Sequence, residues 1–107
     1  EAYGAENIEV YVSEFMPLEW TLTEERAAHP AFCKVICHKG LDEKVLGMHI
    51  LGPNCGEIIQ GYAVAVKQGI TYKDLYETVG IHPTVAEEFT TLTITKSSGQ
   101  DISKGGC

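Results

Sequence analysis

Two apolar runs, Phe32-Cys33-Lys34-Val35-Ile36-Cys37 and residues 45–51, are separated only by the polar stretch His38-Lys39-Gly40-Leu41-Asp42-Glu43. Short apolar runs bounded by turn residues read as strands, and a connection of this length joins antiparallel neighbours. Both runs are apolar on both faces, so the hairpin needs cover on each side of its sheet. Upstream, Ile8, Val10 and Val12 alternate as a half-buried strand does. Pro17, which has no N–H to give a ladder, turns residues 14–20 into a bulged or edge segment. The polar stretch from Thr23-Glu24-Glu25-Arg26 to Pro30 reads as a loop.

The cover follows in sequence. Gly52-Pro53 stops the second strand, Asn54 is placed to cap a helix, and Glu57 falls at its third position. Ile58, Ile59, Tyr62, Ala63 and Val66 share one face of that helix, and Gly69 ends it. Thr71 opens a shorter helix that runs to about Val79 and closes at Gly80. A third is expected from Thr84, with Val85, Phe89 and Leu92 on one side. Beyond Thr95 the apolar period is lost in Lys96-Ser97-Ser98-Gly99 and Lys104-Gly105-Gly106. Strands first and helices afterwards define an α+β fold: an antiparallel sheet of about four to five strands with helices packed on it, then a flexible C-terminal tail. The expected division is a domain over 1–95 and a tail over 96–107.

A chain of 107 residues supports one hydrophobic core. Fifteen acidic against eight basic residues, a formal charge of −7, exclude the clustered cations that nucleic acid requires. No apolar run approaches the ~20 residues of a membrane span. With no initiator Met and no leader pattern, the chain reads as a piece of something longer. Four residues along a strand hold Cys33 and Cys37 roughly 13 Å apart, beyond disulfide reach. Buried thiols suit a reducing compartment, which makes the cytoplasm the expected location and the mitochondrion its alternative. A zinc site from Cys33, Cys37, His38 and Cys55 is set aside because the compact Cys-pair spacing is absent, and no metal is expected. His29, His38 and His49 read as structural or solvated.

The residues that carry chemistry lie in Gly80-Ile81-His82-Pro83-Thr84-Val85-Ala86-Glu87 and at Cys107. Pro83 biases His82 towards extended backbone at a helix entrance. An ordinary imidazole titrates near pH ~6.5, so it can exchange protons with a thiol. Glu87 is placed to accept from the other ring nitrogen and fix the tautomer. Thr84-x-x-Glu87 is equally a capping box, which requires no catalysis. Cys107 follows Ser103-Lys104-Gly105-Gly106, an arm that glycine leaves free to swing, with Lys104 close enough to favour a thiolate. The bland alternative is that nothing but the end of the chain puts it there.

Phe15-Met16-Pro17-Leu18-Glu19-Trp20, Leu51-Gly52-Pro53-Asn54, Gly61-Tyr62-Ala63-Val64-Ala65 and Gly80-Ile81-His82-Pro83-Thr84 occur in family order. Across essentially the whole chain they resemble the C-terminal interface domain of the pyridine nucleotide–disulfide oxidoreductases. The tail resembles that of animal-type thioredoxin reductase and its relative thioredoxin glutathione reductase. The resemblance implies upstream FAD and NADPH domains with a flavin-proximal disulfide, and a homodimer whose active sites use both subunits. It implies that His82 serves as acid/base to the partner's dithiol, with Glu87 orienting it and the backbone at His82 and Pro83 approaching the partner's FAD. Cys107 would carry electrons to thioredoxin, with glutathione disulfide or glutaredoxin as further acceptors. The animal enzymes continue as Cys-selenocysteine-Gly, and this sequence has Cys107 as its last residue. From a different class, a stand-alone dimerisation module would use His82 and Glu87 as helix-start structure only.

Overall fold

Every second side chain of the strand β2, Ala31–His38, is sealed from solvent: Ala31, Cys33, Val35 and Cys37 face one side, while Phe32, Lys34, Ile36 and His38 are half-buried on the other. That period of two is what a central strand with one closed face dictates. A computed structural model describes residues 2–22 and 29–103. Residues 23–28 of the loop expected from Thr23 to Pro30, and the candidate thiol Cys107, lie outside the described residues.

β2 stands between β1, Ile8–Phe15, and β3, Lys44–Leu51, and pairs antiparallel with both. Among the described residues the sheet has three strands in the order β1-β2-β3, against the four to five expected. Two features cut the count. After Pro17 the chain winds into a 3-10 turn, Leu18–Trp20, and adds no strand. Residues 94–103 do follow the free edge of β1, giving Ile94 O to the Val12 N–H at 3.0 Å and Ile102 O to the Glu14 N–H at 2.9 Å. Between those contacts they bend through a second 3-10 turn, Lys96–Ser98, so only isolated bridges form, Tyr11 to Thr95 and Glu14 to Ser103.

The helices close one face. α1, Cys55–Gln68, ends where Gly69 takes a left-handed φ of 84°. Its Ile58, Ile59, Tyr62 and Val66 pack on the core, whereas Ala63, expected on the same face, is exposed. Asn54 sits at the cap position but makes no side-chain cap bond; its φ of 57° shows that it serves by tolerating left-handed backbone. α2, Tyr72–Glu77, opens with a capping box between Thr71 and Asp74 and is shorter than expected. Val45 N–H to Ile70 O at 2.8 Å and Tyr72 N–H to Glu43 O at 2.9 Å stitch the α1–α2 link to the base of the β2–β3 hairpin. The third helix is a 3-10 turn of five residues, Ala86–Thr90. Thr90 ends it and Thr91 and Thr93 follow at once, and such β-branched residues extend an α-helix poorly.

Under these covers Tyr11, Phe15, Val35, Val45, Leu75, Phe89 and Leu92 form one core. Each fully buried side chain of this size contributes roughly 1.5–3 kcal/mol. On the opposite face, whose cover the composition of both strands requires, residues 95–102 lie across Val10, Phe32 and Ile36 and Tyr3 meets His38, while Leu51 at the end of β3 stays exposed.

A candidate active site around His82

The chain leaves α2 through Val79, Gly80 and Ile81, all exposed, and reaches a cis peptide between His82 and Pro83. It is fixed again immediately afterwards. Phe89 is buried at 1% exposure, with the Tyr62 ring edge-on to it at 4.9 Å, and the Tyr62 hydroxyl donates to Ala86 O at 2.9 Å. An exposed loop is thus pinned to the core one turn beyond its histidine, as a precise polar arrangement requires.

Glu87 joins the loop to its anchor. One carboxylate oxygen, Oε1, lies 2.9 Å from His82 Nδ1. The other, Oε2, accepts from the Thr84 N–H at 2.8 Å, while the Glu87 N–H donates to Thr84 Oγ1 at 3.2 Å. The capping box and the histidine partnership, which the sequence offers as alternatives, are both made by one side chain. The His82 hydrogen bond, then the Thr84 N–H, holds the Glu87 carboxyl below its ordinary value of 4.5. The His82 side chain is 66% exposed against 16% for Glu87, so the carboxylate is sheltered and the ring stands outward. With Nδ1 engaged, Nε2 is the nitrogen available to another molecule.

His82, Pro83, Thr84 and Glu87 line one wall of a cleft of about 70 Å³ whose other wall is residues 15–19. Glu19 and Glu88 add carboxylates to its lining. The sequence sets these two stretches far apart and gives no local reason to join them; their shared membership of one family pattern is the signal that links them.

The remaining candidates are elsewhere. Cys33 and Cys37 are buried thiols on the helix-covered face. Burial first, then Glu43 and Glu9, pushes the Cys37 thiol up to about 12, which makes it inert to exchange. His38 projects from the opposite face of β2 and meets the Tyr3 ring edge-on at 5.0 Å, so it cannot share a metal with Cys33 and Cys37. Among the described residues no group of three or more His, Cys, Asp or Glu side chains is arranged to hold a metal ion.

This small α+β unit thus carries a histidine–carboxylate pair on an exposed rim, with Val79 and Ile81 standing out beside it. Residues 1–93 match the dimerisation domain of pyridine nucleotide-disulphide oxidoreductases, and the chain belongs to that family. It is 54% identical over 105 residues to Thioredoxin reductase SEP1 of Emiliania huxleyi, a match covering 98% of this chain and 21% of that protein. It is 47% identical over 107 residues to Thioredoxin reductase 2, mitochondrial, of Drosophila melanogaster, covering 100% of this chain and 20% of that protein. The chain therefore spans about a fifth of the length of these curated relatives.

Proposed function

We propose that this chain is the dimerisation part of an NADPH-dependent flavoprotein disulfide reductase that reduces thioredoxin. The observation that carries the reading is the outward imidazole of His82 with Nδ1 held at 2.9 Å by Glu87. The family and the names of the two relatives support the class of enzyme and its substrate. The overall reaction consumes NADPH, a proton and a disulfide, and yields NADP and two thiols. Glu87 fixes the imidazole, and Nε2 gives a proton to the departing thiolate or removes one from the attacking thiol. Because the ring faces outward, the dithiol it serves belongs to the identical subunit. Ile81, His82 and Pro83 form an exposed, partly apolar rim, and the backbone at His82 and Pro83 would approach the partner's FAD. FAD, held mainly by upstream domains, supplies electron transfer from NADPH to the disulfide. Cys107 is the outer thiol of this reading, and a reducing compartment, cytosol or mitochondrion, is its setting.

The test uses the full-length parent. Flavin absorption that bleaches with NADPH, together with a fall in thioredoxin turnover of about 10²–10⁴-fold in His82→Ala, is expected for a general acid/base. A colourless parent, or turnover unchanged in His82→Ala, overturns the reading. The second reading, a dimerisation module without a chemical role, is favoured by the bonds of Glu87 to Thr84, which alone account for the carboxylate. It requires His82→Ala to leave both association and turnover intact.

A further inference from the structure

We propose that Thr84 and Gly80 are positioning residues that hold the Glu87 carboxylate on His82, Thr84 by hydrogen bonding and Gly80 by the absence of a side chain. The proposal rests on the reading of His82 as the acid/base group.

A glutamate near the surface has several rotamers, and one hydrogen bond from a histidine does not select among them. Thr84 supplies the selection. Its N–H donates to Glu87 Oε2 at 2.8 Å, and its Oγ1 accepts from the Glu87 N–H at 3.2 Å, so the two residues are tied by backbone and side chain at once. A carboxylate is planar. With Oε2 fixed on Thr84, Oε1 has one direction left, and His82 Nδ1 lies along it at 2.9 Å.

Gly80 closes the other side. A Cβ there would lie 2.9 Å from the Cβ of Glu87 and 3.1 Å from Thr90 Oγ1. Neither neighbour can yield freely. The Glu87 stem is set by the Thr84 bonds, and Thr90 Oγ1 donates to Glu87 O at 2.7 Å. Gly80 does not occupy the left-handed region, so the effect of a methyl group falls on Glu87 and on Thr90, which is itself bonded to Glu87 O. Two contacts, one attractive at the carboxylate and one steric at the Cβ, act on a single side chain.

The experiment compares Thr84→Val, Thr84→Ser and Gly80→Ala in the full-length, cofactor-loaded enzyme, reading the pH profile of disulfide reduction beside the melting temperature. Glu19 and Glu88, which line the same cleft, are left unchanged. Thr84→Val keeps the backbone N–H on Oε2 but removes both bonds of Oγ1, from the Glu87 N–H at 3.2 Å and to Oε2 at 3.4 Å, and is expected to slow kcat by roughly 5-fold and to displace the pH profile. Thr84→Ser restores both, and Gly80→Ala slows kcat by about 10-fold through misplacement. In a His82→Ala background Thr84→Val should add nothing, because the two act through one group. Wild-type rate and profile in both Thr84→Val and Gly80→Ala overturn the proposal while a collapsed His82→Ala leaves the function standing. A lowered melting temperature with an unmoved profile also overturns it, reducing Thr84 to helix-start structure. If Gly80→Ala does not fold, the valine and serine variants decide alone. Full turnover in His82→Ala instead refutes the underlying reading of function.

Discussion

In the turn that opens α2, Thr71 Oγ1 accepts from the Asp74 N–H at 3.2 Å and Asp74 Oδ2 accepts from the Thr71 N–H at 2.8 Å. Further along the chain, Thr84 and Glu87 repeat the exchange at the same two distances. What differs is the carboxylate. Both bonds of the Asp74 carboxylate to Thr71 use Oδ2, and a regular helix follows. Glu87 has one more methylene and a histidine two residues ahead of Thr84, so Oε2 makes the cap and Oε1 reaches the imidazole. One local motif is spent wholly on starting a helix, whereas the other starts a five-residue turn and holds a ring as well. A capping box is therefore no evidence against a chemical role for its acidic member.

The comparison breaks most visibly at the anchors beneath the two turns. Leu75→Ala and Phe89→Ala each empty a buried site and are expected to cost about 2–5 kcal/mol of domain stability. Only Phe89→Ala should also lower turnover of the parent; equal losses would dissolve the distinction. Next comes Thr71→Ala, expected to cost about 1 kcal/mol in thermal or denaturant unfolding with turnover unchanged. A fall in turnover there would make both boxes catalytic supports. Acid titration separates them by charge. The folded pKa of Glu87 is depressed, so its contribution is complete above its unfolded value of 4.5 and is lost as pH falls through the lower folded value. Amide exchange in residues 80–90 should accelerate over that window, and Glu87→Gln should abolish the acceleration. The smallest effect belongs to Lys73 and Glu77, 3.8 Å apart on side chains 75% and 64% exposed. Lys73→Ala should change stability by no more than about 0.5 kcal/mol, the ordinary worth of such a surface pair.

Periodicity made β2, β3 and α1 legible because each buries a regular face, and Gly69 marked the end of α1 through the left-handed turn it takes. Asn54 was legible as a boundary, but its part there is conformational. The Val85, Phe89 and Leu92 spacing is that of an α-helix, and the buried residues are right, yet the threonines that follow carry the chain towards the edge of β1. Ile94 and Ile102 escape a periodic reading because each meets β1 through a single backbone bond. His82 and Glu87 could be paired from spacing alone. The division of the two Glu87 oxygens could not, since it depends on where a folded turn places an N–H. The opposing wall at 15–19 depends on the whole fold.

The bonds between β1 and the end of the described chain set a tether. Measured from Thr95, the 12 residues to position 107 could stretch about 40 Å at full extension. Measured from Ser103, beside the Ile102 carbonyl that binds Glu14, the remaining 4 residues reach only about 14 Å. While that bond holds, the chain is fixed to the edge of β1 as far as Ser103, and whatever follows starts from there and not from Thr95. The point of departure of the tail is thus set by a backbone contact at Glu14, far in sequence from the glycines that follow Ser103.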